Sequence, residues 1–123
     1  MVFLNISNHP SEKWCKEQRA AAEKFGKGIE IVDLPFPPVD PCCTEEELNE
    51  LVDRYYAAVM SYEKPVVMLQ GEYRFTYRLL CRLKKENITV VASCSVRKST
   101  EFIDENGKTV RKSFFEFAAF REY

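Results

Sequence analysis

Glycine is scarce in this chain, proline is no more frequent than average, and long hydrophobic runs are absent. Its 123 residues include 4 glycines and 6 prolines, which excludes collagen-like and low-complexity classes. No apolar stretch approaches the roughly 20 residues that a membrane-spanning helix needs. The first residues lack the basic segment and long apolar core of a signal peptide, so we expect neither secretion nor membrane attachment. With 46% hydrophobic and 30% charged residues, the composition predicts one globular domain spanning residues 1–123.

Motifs that mark several common enzyme classes are missing as well. No Gly-x-Gly-x-x-Gly sequence and no phosphate-loop lysine motif occur, so the sequence does not indicate a standard dinucleotide enzyme or a nucleoside triphosphatase. The 5 cysteines show no Cys-x-x-Cys spacing and there is 1 histidine, so we predict no metal site and no other cofactor. An odd number of cysteines without paired spacing is typical of free thiols in a reducing compartment, which predicts a cytoplasmic protein.

Charge is distributed unevenly, although the net charge is −1. Residues 1–72 carry 7 Lys/Arg and 13 Asp/Glu, whereas residues 73–123 carry 11 and 6. A chain that is nearly neutral as a whole is not expected to bind long nucleic acids, but its basic C-terminal part permits a local anion site. An ordinary solvated surface would account for the same charges.

Short apolar runs alternate with stretches of helical spacing along the chain. The apolar runs predict strands, and the helical spacing predicts helices between them. Thr44 and Glu47 form the capping-box pattern that opens the second helix. Asn106-Gly107 predicts a hairpin turn, and Ser93-Cys94-Ser95 is predicted to end the strand before the hairpin. The predicted elements are strand 2–6, helix 14–25, strand 29–33, helix 44–62, strand 66–69, helix 75–86, strand 88–92 and a hairpin of 96–103 with 109–120.

This order of elements predicts an α/β fold with a Rossmann-like parallel sheet, helices on both faces and a C-terminal β-hairpin. We expect strand order 2-1-3-4, so the first and third strands flank the point where the order reverses. Ligands in such sheets bind beyond the carboxyl ends of the strands at that point. The predicted site residues in and beside those loops are Ser7, Asn8, His9, Gln70, Gly71, Glu72, Arg74, Ser93, Ser95, Arg97 and Lys98.

Several of these residues allow two interpretations. His9 lies beyond the first predicted strand, where a histidine can act as acid, base or phosphate ligand, or simply donate to backbone. Gly71 permits a positive φ or a close approach of the backbone to a ligand. Glu72 either caps the third helix or binds a ribose hydroxyl. Arg74 opposes the helix dipole in the first turn and is a candidate for anion binding.

Three segments of the chain resemble one known family: Phe3-Leu4-Asn5-Ile6-Ser7-Asn8-His9-Pro10, Val67-Met68-Leu69-Gln70-Gly71-Glu72-Tyr73 and Phe115-Glu116-Phe117-Ala118-Ala119-Phe120-Arg121-Glu122-Tyr123. They are similar to small stand-alone CRISPR-associated proteins of type III systems, which are single-domain relatives of the CARF sensor domain. Some of those proteins are ring nucleases that cut cyclic oligoadenylate second messengers and so switch off antiviral signalling. The resemblance implies a homodimer with a two-fold ligand such as cyclic tetra-adenylate on its axis.

The resemblance also implies metal-independent cleavage, in which the ribose 2′-hydroxyl attacks the adjacent phosphate in line. From their chemistry we predict His9 as the acid for the leaving 5′-oxygen and Arg97 as a phosphate ligand. Two alternatives remain open: a non-catalytic sensor or sponge for the same nucleotide, and a nucleoside-processing enzyme with Glu72 as nucleophile. The final hairpin also predicts a homodimer, because alternation places Phe115 and Phe117 on one face and Phe114 and Phe120 on the other.

Overall fold

A computed structural model describes all residues, 1–123, as five strands and three α-helices that mostly alternate. None of the helices is both long and apolar enough to cross a membrane. The elements in chain order are β1 (Val2–Ile6), a 3₁₀ turn (Ser11–Lys13), α1 (Lys16–Glu23), β2 (Glu30–Asp33), α2 (Glu45–Met60), β3 (Pro65–Leu69), α3 (Tyr73–Lys85), β4 (Thr89–Ile103) and β5 (Thr109–Glu122).

All five strands form one sheet with the order β2-β1-β3-β4-β5. The first three neighbouring pairs are parallel, and β4 and β5 are antiparallel. The predicted order 2-1-3-4 and the C-terminal hairpin are confirmed. Because β1 and β3 are central and covered on both faces, their residues form the nearly continuous apolar runs that the sequence shows.

Helices cover both faces of the sheet, as predicted. On one face, α2 and α3 enclose a core that includes Leu48, Val59 and Leu79. On the other face, α1 and the segment before it pack over Phe3 and Met68. The capping box at the start of α2 is confirmed, since the Thr44 hydroxyl accepts from the backbone N–H of residue 47 and the Glu47 carboxylate accepts from that of residue 44, both at 3.1 Å.

The fourth strand is longer than predicted, so the prediction that Ser93-Cys94-Ser95 ends it is wrong. Pairing with β3 stops at Val91, but β5 supplies a backbone partner as far as Ile103, and the strand therefore continues. The two arms beyond the parallel sheet, residues 93–103 and 109–120, are called the ribbon below. Its turn is closed by Asp104, whose side chain accepts from two backbone N–H groups, and by Gly107 at φ +77°.

The pairing register of the ribbon also changes the predicted faces of its aromatic residues. An irregularity between Cys94 and Ser95 places Ser93 opposite Phe120 and Ser95 opposite Phe117. Phe117 and Phe120 therefore share a face, with ring centroids 5.0 Å apart, and Phe120 also packs on Phe3 at 5.0 Å. The prediction that Phe120 shares a face with Phe114 is wrong because the irregularity reverses the alternation.

Candidate functional site

An open, polar cavity of about 750 Å³ lies where the carboxyl ends of β1, β3 and the parallel part of β4 meet. Loops 7–9 and 70–71 follow β1 and β3 directly, so both reach it. Seven of the predicted site residues line it, namely Ser7, Asn8, His9, Gln70, Gly71, Ser93 and Ser95. The remaining lining residues are Lys13, Cys15, Gln18, Met68, Tyr73, Phe115 and Phe117.

No carboxylate lines this cavity, although the chain contains 19 aspartate and glutamate residues. Lys13 contributes an ammonium group and His9 an imidazole, and the other polar groups are mostly hydroxyls and amides. Three aromatic rings, those of Tyr73, Phe115 and Phe117, complete the wall. This combination fits an anion that also carries flat aromatic groups.

The loop that carries His9 is held by a buried amide. The Asn5 side chain, 2% exposed, donates to the His9 carbonyl oxygen at 2.9 Å and to Asp33 at 2.8 Å. The Trp14 indole N–H donates to the same His9 carbonyl at 3.2 Å. These bonds fix the backbone of His9 while its imidazole stays exposed at the cavity. Asn5 gives a signal in the sequence, as the one amide inside an apolar strand.

Ser7 positions this loop from the cavity wall. Its hydroxyl donates to Asn5 Oδ1 at 2.6 Å and accepts from the His9 backbone N–H at 3.2 Å. Because the hydroxyl proton is engaged within the loop, a ligand would find the Ser7 oxygen only as an acceptor. Asn8, by contrast, is exposed.

Gln70 lies where β4 separates from β3. Its side-chain oxygen accepts from the Ser93 backbone N–H at 2.9 Å, which fixes the orientation of the amide. The Gln70 NH₂ group is therefore the part of the amide that remains for a ligand oxygen. The Ser93 hydroxyl is 3.5 Å from the amide nitrogen of Gln18, a nearly buried residue of α1 that also lines the cavity.

Gly71 is required by packing rather than by a special backbone conformation. Its φ is not among the positive values of the chain, which occur at Gly28, Lys64, Asn87 and Gly107. A Cβ atom at position 71 would lie 2.3–2.6 Å from three ring atoms of Phe36. Phe36 itself packs edge-on against Phe75, with centroids 5.2 Å apart. The close approach that the sequence suggested is therefore made to the chain's own aromatic ring.

Glu72 caps α3. Its carboxylate accepts from the backbone N–H groups of Arg74 at 2.9 Å and Phe75 at 3.0 Å, and the Arg74 side chain donates to it at 3.2 Å. Partial burial alone would raise the pKa of the Glu72 carboxyl, but these hydrogen bonds together lower that pKa below its usual value. Glu72 and Arg74 thus bind each other at the start of the helix, and neither lines the cavity.

Replacing Glu72 with alanine is expected to lower the free energy of unfolding by about 0.5–2 kcal/mol at pH 7, because the cap is lost. The folded carboxyl has a lowered pKa, so its contribution is present above the pKa of the unfolded chain and disappears as the pH falls through the folded pKa. Urea unfolding of both proteins should therefore show a difference at pH 7 that shrinks in strong acid. A difference that grows on acidification would contradict this role.

Arg97 and Lys98 lie on opposite faces of the ribbon. Arg97 is paired with Phe115, which lines the cavity, so Arg97 lies on the cavity side, next to the rim. Its guanidinium is exposed and donates one long hydrogen bond, at 3.5 Å, to the Ser113 hydroxyl. Lys98 points to the other face, where it forms an ion pair with Glu116. Of these two cations, only Arg97 can therefore extend the cavity's cationic lining.

The sequence interpretation missed several lining residues. Lys13 ends a 3₁₀ turn that carries no sequence signal strong enough to place it, and Phe115 and Phe117 reach the cavity only through the register of β5. Tyr73 follows the predicted central loop directly and ends the second of the three segments that resemble CARF-related proteins. No group of three or more His, Cys, Asp or Glu side chains is arranged to hold a metal ion.

The chain is similar to a known family of proteins. A family model described as "Uncharacterized protein MJ1673 family" matches residues 1–121, which is nearly the entire chain. No curated protein matches the chain.

Proposed function

The chain belongs to the MJ1673 family, and from its site we propose that it binds a cyclic oligoadenylate in the cavity beyond β1, β3 and β4. The observation that carries this proposal is the lining, which has no carboxylate but has Lys13, His9 and three aromatic rings. A cyclic oligoadenylate presents phosphates and adenine bases together, so both kinds of lining have a partner. The resemblance of the sequence to CARF-related proteins supports the same ligand class and a Rossmann-like relationship.

Cleavage is the second part of the proposal. The 2′-oxygen of one ribose bonds to the adjacent phosphorus while the bond from phosphorus to the 5′-oxygen breaks, which leaves a 2′,3′-cyclic phosphate and a 5′-hydroxyl. The 2′ proton passes to solvent, and protonated His9 gives a proton to the 5′-oxygen. Lys13 and the Gln70 NH₂ group stabilise the charge on the phosphate, and the rigid loops hold the ribose in line.

The biological setting is the one that the resemblance to type III CRISPR-associated proteins implies. Destruction of the ring would switch off type III CRISPR signalling in antiviral defence. The 5 free cysteines support a cytoplasmic location. A sensor or sponge that binds without cutting would use the same cavity. The nucleoside-processing alternative gains no support, because the Glu72 carboxylate is engaged in capping α3.

The direct test is incubation of the protein with cyclic tetra-adenylate, with and without EDTA, followed by chromatography of the products. The proposal expects linear products with 2′,3′-cyclic phosphate ends and the same rate in EDTA. An intact ring that co-purifies with the protein would identify a sensor or sponge instead. A ring that is neither bound nor cut would refute the proposal.

We further infer a homodimer that shares the ring across its two-fold axis. One open cavity of about 750 Å³ lies within the range of about 300–1,000 Å³ for a single small-ligand site, and a ring of four nucleotides exceeds such a ligand. A shared ring requires the two cavities to face each other, so the ribbon face away from the cavity, where Val96, Phe102 and Phe114 are 44–50% exposed, lies outside this interface. Light scattering at micromolar concentration is expected to give twice 14.4 kDa, and the monomer mass would contradict the dimer.

A further inference from the structure

The two most exposed large hydrophobic side chains of the protein line the same cavity. Tyr73 is 89% exposed and Phe115 is 74% exposed, and both belong to the cavity wall. Tyr73 is the first residue of α3, and Phe115 lies on β5 in the ribbon. The two rings therefore come from separate elements to one opening.

Neither ring pairs with another aromatic ring of the chain. Other rings contact one another, as Phe3 does with Trp14 and Phe36 with Phe75, but Tyr73 and Phe115 take part in no ring pair. The Tyr73 hydroxyl has no hydrogen-bond partner in the chain, unlike those of Tyr55 and Tyr123, which donate to backbone carbonyls at 2.6 Å. A single exposed ring is ordinary on a protein surface. Two exposed rings at the rim of one polar cavity form an aromatic surface against which a planar ligand group can stack.

We propose that Tyr73 and Phe115 are stacking platforms that each receive an adenine base of the ligand, an inference that rests on the proposed function. Each ring leaves most of its surface free, which base stacking requires. Arg97 is paired with Phe115 across the ribbon, so a phosphate beside the stacked base can meet the guanidinium. Lys13 lines the same cavity and offers a second cation.

Stacking makes recognition depend on the size of the base more than on its hydrogen-bonding edge, because every base has a π face. The proposal therefore expects rings of purine nucleotides to bind more tightly than rings of the same size made of uridylate. The two aromatic rings are also expected to contribute to the affinity for the ligand, whereas the loop that carries His9 cleaves the bound ligand.

The chain provides matched controls for both positions. Tyr77 lies one turn after Tyr73 in α3 and is 67% exposed, but it does not line the cavity. Ile103 is 72% exposed at the far end of the ribbon and likewise does not line the cavity. Tyr73→Ala and Phe115→Ala are compared with Tyr77→Ala and Ile103→Ala, and Tyr73→Phe and Phe115→Trp keep an aromatic surface.

The measurement is a fluorescence titration of each protein with two ligands, cyclic tetra-adenylate and linear tetra-adenylate, each carrying one 2-aminopurine. The emission of 2-aminopurine is quenched when this base stacks. Tyr73→Ala and Phe115→Ala are each expected to weaken binding roughly 5- to 150-fold, the equivalent of one lost stacked base, and to reduce the quenching. The two control variants and the two aromatic variants are expected to bind like the wild type.

The outcomes separate this proposal from the function on which it rests. Wild-type affinity and quenching in both Tyr73→Ala and Phe115→Ala would overturn the stacking role while the proposed function stands. The wild type could instead bind the linear ligand but not the cyclic one. If Tyr73→Ala and Phe115→Ala both lose that binding, the result would support stacking and refute the proposal that the ligand is cyclic. Absence of binding to either ligand by the wild type would overturn both.

Discussion

Replacement of His9 with alanine is expected to slow cleavage of cyclic tetra-adenylate by about 10²- to 10⁴-fold while leaving its affinity nearly unchanged. His9 supplies the one imidazole of the chain, and it is exposed in the cavity. The bonds that hold its loop involve its backbone carbonyl and N–H, not its ring, so the substitution leaves the loop in place. Single-turnover rates and equilibrium titrations on the same preparations separate the two effects.

Asn8→Ala is the natural control, because Asn8 is the exposed neighbour in the same loop and also lines the cavity. It is expected to alter the single-turnover rate far less than His9→Ala does. Arg97→Ala is expected to weaken binding as well as cleavage, since the guanidinium lies beside the rim and can hold a phosphate through two hydrogen bonds. If His9→Ala cuts at the wild-type rate, cleavage depends on in-line positioning alone and His9 is not the acid.

Replacement of Asn5 with alanine is expected to lower the free energy of unfolding by about 1–3 kcal/mol and to impair cleavage, because it removes the three hydrogen bonds of a buried amide. The Asn5 amide is 2% exposed and connects the His9 carbonyl, Asp33 and the Ser7 hydroxyl. Its loss frees the loop that carries His9. Urea unfolding and single-turnover cleavage, measured at one pH, test both parts.

Asn49→Ala provides the matched substitution at an exposed site, where the side chain accepts one hydrogen bond from Arg78 at 2.6 Å. A surface change of this kind is expected to alter the stability by no more than about 0.5 kcal/mol. Equal stability losses at positions 5 and 49 would mean that the buried amide does not hold the loop.

The architecture of the site could be predicted from the sequence because it depends on local signals. Apolar runs mark β1 and β3, and the polar residues that follow each run must meet, since the carboxyl ends of parallel strands share one edge of the sheet. Asn8, Gly71 and Ser93 follow three different strands and line the same cavity for this reason. Their placement requires only the order of strands, for which alternation with helices leaves few choices.

The features that the sequence did not predict depend on contacts between distant residues. The ribbon exists because β5 pairs with residues of β4 that have no partner in β3, and its register irregularity decides which aromatic rings face the cavity. Gly71 is required by Phe36, which lies 35 residues earlier in the chain, and spacing in the sequence carries no record of that contact. The cap made by Glu72 is different, because it uses N–H groups of its own helix and was one of the two roles that the sequence allowed.

The most direct test of the central claim is a titration of the ¹⁵N-labelled protein with cyclic tetra-adenylate, followed by NMR. The proposed site predicts that the largest shift changes occur at the amides of Asn8, Gly71 and Ser95, which surround the cavity. A second groove between residues 35–40 and α2, lined by Phe36, Val39 and Tyr55, serves as the internal comparison. Changes concentrated in that groove, or no changes at saturating ligand, would contradict the account.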